Sequence, residues 1–307
     1  MSTVGQLIDR VLRDWLEPAD DQPARLTLAQ AIDSDDLLAI SYDADLIGPE
    51  EIALIGPGTL IEIGSEEMIV ADIDEDANTF DLAKRGANGT TPAAHSSGAI
   101  IYPHRAWRRR VIFDALCDGV VQLYPDLYRV KESAAMTVSS DTYTEVDAAD
   151  ATYAVSPMWF YGRCTGENRY RRIPLGDDDW LDFFPASATG KAFYVPGLPT
   201  GGNGYLVYKA KFERPDAEAD SLVADFGVNA EWEQLVVLGA VAYLVAGREM
   251  DLATQERLAE QLEQQNYPAG TPSKIRDSIL RYRQHLMDRA KDDLRTRVGV
   301  TVTMLSA

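Results

Sequence analysis

Residues Glu62 to Ile101 read EIGSEEMIVADIDEDANTFDLAKRGANGTTPAAHSSGAII, and this stretch constrains the fold more than any other. Ile61, Ile63, Met68, Val70 and Ile73 supply apolar positions, and Phe80 and Leu82 alternate with Thr79, Asp81 and Ala83. A period of two predicts half-buried strands. Asp74-Glu75-Asp76-Ala77-Asn78 falls where the hairpin must turn, and Asp and Asn tolerate left-handed backbone there and bond their own main chain. A Gly-rich return follows, Arg85-Gly86-Ala87-Asn88-Gly89-Thr90, then His95, Gly98 and a third strand.

The surrounding chain divides by pattern. Residues 1–24 form an N-terminal helix and linker: Val4, Leu7, Ile8, Val11, Leu12 and Trp15 follow helical spacing, and Pro18 and Pro23 stop it. Residues 25–102 are a small β domain, with Leu26, Leu28, Leu38, Ile40 and Tyr42 marking its early strands. Residues 103–127 are a helix with an apolar stripe from Val111 to Leu123. Residues 128–215 are rich in aromatic and β-branched residues with frequent turn signals, the pattern of an inserted β-sandwich. Residues 216–298 are a helical core. It contains the apolar run Leu235 to Ala246 and a long helix from Ser273 to Arg297. Residues 299–307, VTVTMLSA preceded by Gly299, read as a C-terminal strand-like arm. The fold class expected is α+β, a helical core carrying an N-terminal β module and an inserted sandwich.

The chain of 307 residues is 46% hydrophobic and 25% charged, the composition of a globular protein. Its net charge of −20 is uneven. Residues 1–100 hold 20 acids and 5 bases, residues 101–215 hold 14 of each, and residues 216–307 hold 15 acids and 10 bases. Such acidity opposes a grip on nucleic acid. Arg105, Arg108, Arg109 and Arg110 stand at a helix start, where the dipole disfavours cations, so they call for an acidic partner in the same fold. The N-terminus carries charges where a secretory leader needs an apolar core. Leu235 to Ala246 is too short to span a bilayer.

Catalytic and metal chemistry find little support. His95, His104 and His285 are scattered, and Cys117 and Cys164 lack ligand spacing and read as buried thiols. Asp72, Asp74, Asp76 and Asn78 imitate the start of a calcium loop, but Ala77 stands where Gly is needed and Ala83 where a bidentate Glu is needed. Asp177-Asp178-Asp179 reads as a solvated turn. No nucleophile elbow, phosphate loop or dinucleotide fingerprint is present. His95, just before a strand, reads as a residue that bonds backbone carbonyls. No cofactor and no metal are expected, and no enzymatic activity.

The pattern Arg85-Gly86-x-x-Gly89-Thr90-x-x-x-x-His95-x-x-Gly98 resembles a short β module of structural proteins in tailed-bacteriophage virions. The resemblance covers about forty residues. It implies a head-to-tail connector, or adaptor: a ring of copies of the chain, commonly twelve, between portal protein and a tail or tail-terminator protein. DNA passes through such a ring without sequence-specific binding. The location implied is the virion neck, after assembly in the host cytoplasm, with no membrane involved. The alternative is a minor tail, collar or decoration protein whose sandwich binds carbohydrate through Trp159, Phe160, Tyr161 and Trp180.

Overall fold

Strands of three or four residues are too short to hold together in pairs, and four of the six strands in the region around the motif are of that length. In a computed structural model they are stabilised by closure. The structure describes residues 2–16, 26–43, 55–103, 105, 107–138, 143–163, 170–182, 189–195, 202–246, 252–267 and 272–304. The sequence readings at Pro18 and Pro23, His104 and Cys164 lie outside these residues.

The chain forms two compact units, one of Gly5–Ala115 and Ala240–Ile279, the other of Met1–Val4, Leu116–Gly239 and Leu280–Ala307. The first holds β1 (Leu26–Leu28), β2 (Ile40–Asp43), β3 (Leu60–Ile63), β4 (Glu66–Asp74), β5 (Thr79–Lys84) and β6 (Ile100–Pro103). They close in the order β1-β2-β5-β4-β3-β6, with β1 bonded to β2 on one side and β6 on the other, all antiparallel. Closure leaves no open edge in the ring. The interior is filled by the alternate apolar positions, among them Leu26, Leu28, Tyr42, Ile61, Met68, Val70, Phe80 and Ile101. Tyr42 stacks on Phe80 with centroids 6.0 Å apart. Helix α1 (Val4–Val11) runs on through a π turn, Leu12–Leu16, whose Leu12, Trp15 and Leu16 are buried.

The second unit contains two sheets around one core. A five-stranded sheet has the order β11 (Arg171–Pro174), β10 (Ala154–Arg163), β14 (Gly202–Ala210), β7 (Arg129–Glu132), with β8 (Met136–Val138) also on β14. A three-stranded sheet has β12 (Trp180–Leu181), β13 (Ala192–Phe193) and β9 (Thr144–Glu145). Phe160 of the larger sheet and Phe193 of the smaller meet at 6.0 Å. Two paired glycines make this possible. Gly162 lies opposite Gly204, and a Cβ on either would come within 2.2 Å and 2.6 Å of the Phe160 ring. The aromatic ring covers the space that both side chains leave empty.

The expected α+β class with a helical core is therefore corrected: the described residues are organised by a six-stranded closed barrel and two further sheets, while the helices expected within residues 216–298 are present. Long apolar helical runs dominate a sequence reading, whereas strands of three or four residues each carry too few positions to show a period. The helices are α2 (Arg109–Val121), α3 (Ala148–Ala151), α4 (Glu233–Leu244), α5 (Leu252–Gln264) and α6 (Pro272–Met304). Leu235 to Leu238 are all at most 1% exposed, as an all-round apolar helix requires. The strand read into the C-terminal arm is also corrected, because α6 runs on to Met304. Extending a formed helix costs little per residue, while β-branched residues need a partner strand. Leu38 belongs to no strand; it is 74% exposed on the turn before β2.

Phe160→Ala is expected to lower unfolding stability by about 3–5 kcal/mol, since it removes a core aromatic above two glycines that cannot fill the void. Urea denaturation of the full chain checks this.

Candidate functional site

The resemblance motif folds onto one buried carboxylate. Glu66 opens β4 directly after the Gly64-Ser65 turn and is 0% exposed. Arg85, at the end of β5 and 8% exposed, grips it with both arms of its guanidinium: Nε donates to Oε1 and Nη2 to Oε2, each at 2.8 Å. Bidentate pairing of this kind is strong and directional. The Gly86 amide donates to Oε1 at 3.0 Å, the Ala93 amide to Oε2 at 3.0 Å, and His95 Nε2 lies 2.9 Å from Oε2. Burial by itself would raise the pKa of Glu66. The bonds from Arg85, His95, Ala93 and Gly86 outweigh it and hold the carboxyl below the usual range.

The remaining arms of Arg85 reach the backbone. Nη1 donates to the carbonyls of Asp33 (2.6 Å) and Asp36 (3.2 Å), and Nη2 to that of Ala93 (2.6 Å). One side chain thus ties the β4–β5 hairpin, the segment before β6 and the turn before β2. His95 completes the last tie: its backbone exchanges two hydrogen bonds of 2.9 Å with Ile32.

The glycines and threonine of the motif shape the return. Gly86 has φ +60°, and a Cβ there would lie 2.7 Å from both Pro92 Cδ and the Thr90 carbonyl oxygen, so glycine is required on two counts. Thr90 Oγ1 donates to the Ala87 carbonyl at 2.8 Å and accepts from the Glu67 amide at 3.0 Å. Gly89 and Gly98 also have positive φ. Arg85, Gly86 and His95 therefore meet at Glu66, while Thr90 braces the return against Glu67 and Gly89 and Gly98 lie in its turns.

Three glutamates, not singled out in the sequence, prove central. Besides Glu66, Glu62 and Glu67 are 2% and 1% exposed. Glu62 Oε1 accepts from Arg105 Nη1 at 2.6 Å and Oε2 from the Arg109 amide at 2.9 Å, at the first turn of α2. Burial pushes the Glu62 carboxyl up, against the opposing pull of Arg105 and Arg109. Arg108 pairs with Glu67 at 3.4 Å, Arg109 with Asp9, and Arg110 with Asp114 at 3.2 Å. The four arginines at the helix start thus have their acidic partners within the fold. The available signal was three acids, Glu62, Glu66 and Glu67, in short strands crowded with apolar residues; Glu62 and Glu67 stand opposite each other on the face away from Ile61 and Met68. A buried acid needs a cation.

A cavity of about 330 Å³ lies beside the network, lined by Ile63, Gly64, His95, Tyr102, Arg105 and Arg109 among others. No hydroxyl or thiol bonds His95 among the described residues; neighbouring Ser97 donates to the Ala29 carbonyl at 3.0 Å instead. The described residues contain no group of three His, Cys, Asp or Glu placed to hold a metal. In the calcium-like turn, Asp74 accepts from the Ala77 amide at 2.9 Å, and in Asp177–Asp179 the Asp179 carboxylate accepts from the Gly176 amide at 2.8 Å. Of the sugar-stacking candidates, Trp159, Phe160 and Trp180 are 7%, 0% and 8% exposed, and Tyr161 stacks on Tyr170 at 5.1 Å. Cys117 is buried. Among the described residues no helix is long and apolar enough to cross a membrane.

No protein-family model, curated protein or solved structure matches this chain.

Glu66→Gln puts an amide against the guanidinium and leaves Arg85 buried without its counter-charge. The expected loss is about 3–5 kcal/mol of stability. Because the folded pKa of Glu66 is depressed, its contribution is present above the ordinary glutamate value of about 4.3 and disappears as pH falls through the folded value. The stability gap between wild type and Glu66→Gln, followed by denaturation from pH 7 downward, should close in acid. Gly86→Ala should cost more than about 1 kcal/mol, read as a lowered denaturation midpoint.

Proposed function

We propose that this protein is a structural component of a tailed-phage virion, of the head-to-tail connector type. In this reading a ring of its copies, twelve by the resemblance, joins portal to a tail or tail-terminator protein, and DNA passes along the ring without sequence-specific contact. The observation that carries the reading is how the motif spends its polar groups. Arg85, Glu66 and His95 bond one another and the barrel backbone, and the product is a rigid module. The barrel backbone and the buried carboxylate take up the bonds of Arg85, and no hydroxyl or thiol bonds His95 among the described residues. The charge distribution agrees: the segment that builds the barrel carries most of the net −20, with exposed acids in the turns at Asp33–Asp36 and Asp74–Asp76. Like-charged surfaces next to DNA repel it and reduce sticking.

Electron microscopy of assembled particles, with the chain located by a bound antibody fragment, tests this. A ring at the neck between capsid and tail is expected. A chain that never joins portal or tail particles, or that sits on the capsid exterior or tail fibres, contradicts it.

A further inference from the structure

The buried network does more than hold the barrel, because it fixes a turn that displays two leucines to solvent. Leu37 and Leu38 are 41% and 74% exposed. Singly exposed leucines are commonplace, but these are adjacent and the backbone on either side of them is held. Arg85 grips the carbonyls of Asp33 and Asp36. The Asp33 amide donates to Asp36 Oδ2 at 2.7 Å, the Leu82 amide to the Leu37 carbonyl at 2.7 Å, and the Ala39 amide to Asp81 Oδ1 at 2.7 Å. Ala39 sits at φ +53°, a conformation that costs a non-glycine residue about 1 kcal/mol or more and persists only where its surroundings impose it. Exposed Asp33, Asp35 and Asp36 precede the leucines in the chain, and Asp81 bonds the Ala39 amide that follows them. A rigid apolar pair flanked by acids has already met the ordering cost of docking.

A complementary receptor exists on the same chain, in the other unit. A cavity of about 280 Å³, lined by Tyr128, Val130, Trp232 and Leu294 and rimmed by Arg129 and Lys131, has room for two leucine side chains. Val130, on the edge strand β7, is 44% exposed. Arg129 and Lys131 share one acid, Glu213, at 2.9 Å and 3.1 Å, and Lys209 lies over the Tyr128 ring at 5.1 Å. Glu132, exposed two residues on from Val130 in β7, is a second acid, so three cations stand against two acids and the rim is positive by one on a protein whose net charge is −20.

We infer that the Leu37-Leu38 turn of one copy docks into the Tyr128/Val130/Trp232/Leu294 cavity of a second copy. The two surfaces differ, so the contact is head-to-tail, and head-to-tail contacts close into rings when the rotation allows. The inference rests on the ring reading above and supplies its contact. It also gives the motif arginine a role: Arg85 positions the docking turn.

The test uses the full chain and its self-association, followed by analytical ultracentrifugation and mass photometry. Wild type should form a closed ring. Leu38→Asp and Val130→Asp should each weaken association by roughly thirtyfold or more, the loss typical of a central anchor, with unchanged circular dichroism. Leu38→Ser and Val130→Ser, milder at both positions, guard against misfolding and should weaken it in the same direction. A 1:1 mixture of the two Asp variants retains one sound turn and one sound cavity, and should give dimers and nothing larger. Wild-type association in all variants overturns the inference while leaving the neck location intact, and so does a mixture that stays monomeric. A wild-type chain that never self-associates, yet loses portal or tail binding on Leu38→Asp, also overturns it, because the leucines then serve another protein. Self-association through these residues in a protein absent from the neck supports the docking and removes the connector reading.

Discussion

A carboxylate shut away from water must have its charge answered inside the protein, and in this barrel the answer organises everything nearby. Glu66 receives two bonds from Arg85, two from backbone amides and one contact from His95. An isolated ion in such a place would be prohibitive, and a half-satisfied network would be worse than an apolar core. Five contacts from four residues around one carboxylate make the arrangement cooperative: each segment that reaches Glu66 or Arg85 is fixed by the others. The turn before β2, the return after β5 and the segment entering β6 are too irregular to be held by strand pairing. They are held by this centre.

The same logic is repeated along the face where α2 begins. Four arginines oppose the helix dipole, which is unfavourable for an isolated helix. Each has a carboxylate partner, and Glu62 and Glu67 are themselves buried. Glu62 also accepts the Arg109 amide, so an acid stands at the helix N-terminus where the dipole favours one. The arginines are thus complements of the barrel's buried acids, and the helix tolerates them for that reason. The high acidity of the first hundred residues divides into buried structural acids and exposed acids of the turns, and only the latter shape what the surface meets.

Much of this was legible in the residues. The alternation at Phe80 and Leu82, the Asp-rich turn and the glycines at 86, 89 and 98 placed a hairpin and its return, and those are the arms of β4 and β5 and the loop before β6. Val4 to Trp15 announced a buried-face helix, ended by a π turn. Closure was not legible, because β1 to β3 have three or four residues each and the pairing of β1 with β6 links positions about seventy-five apart in the chain. No local period encodes such a contact. The helical thirds looked dominant because helices write their period into long windows, and the terminal VTVT looked like a strand because β-branched residues report packing environment more than backbone choice. Arg85 and His95 were visible as a motif, but Glu66 was hidden among 49 acids. Leu38 was misplaced for a related reason, since one apolar residue before a strand carries no sign of whether the chain turns it outward.

The central claim is that the motif is a structural centre of the barrel, organised by the Glu66 carboxylate. Hydrogen exchange of the Gly86 and Ala93 amides tests it most directly. Both lie in irregular backbone, and both donate only to the Glu66 carboxylate. If the network is a structural centre, they exchange as slowly as the amides of β4 and β5, through opening of the whole barrel. Exchange at the rate of the exposed turns, with the strands still protected, would show that the network opens locally and would contradict the account.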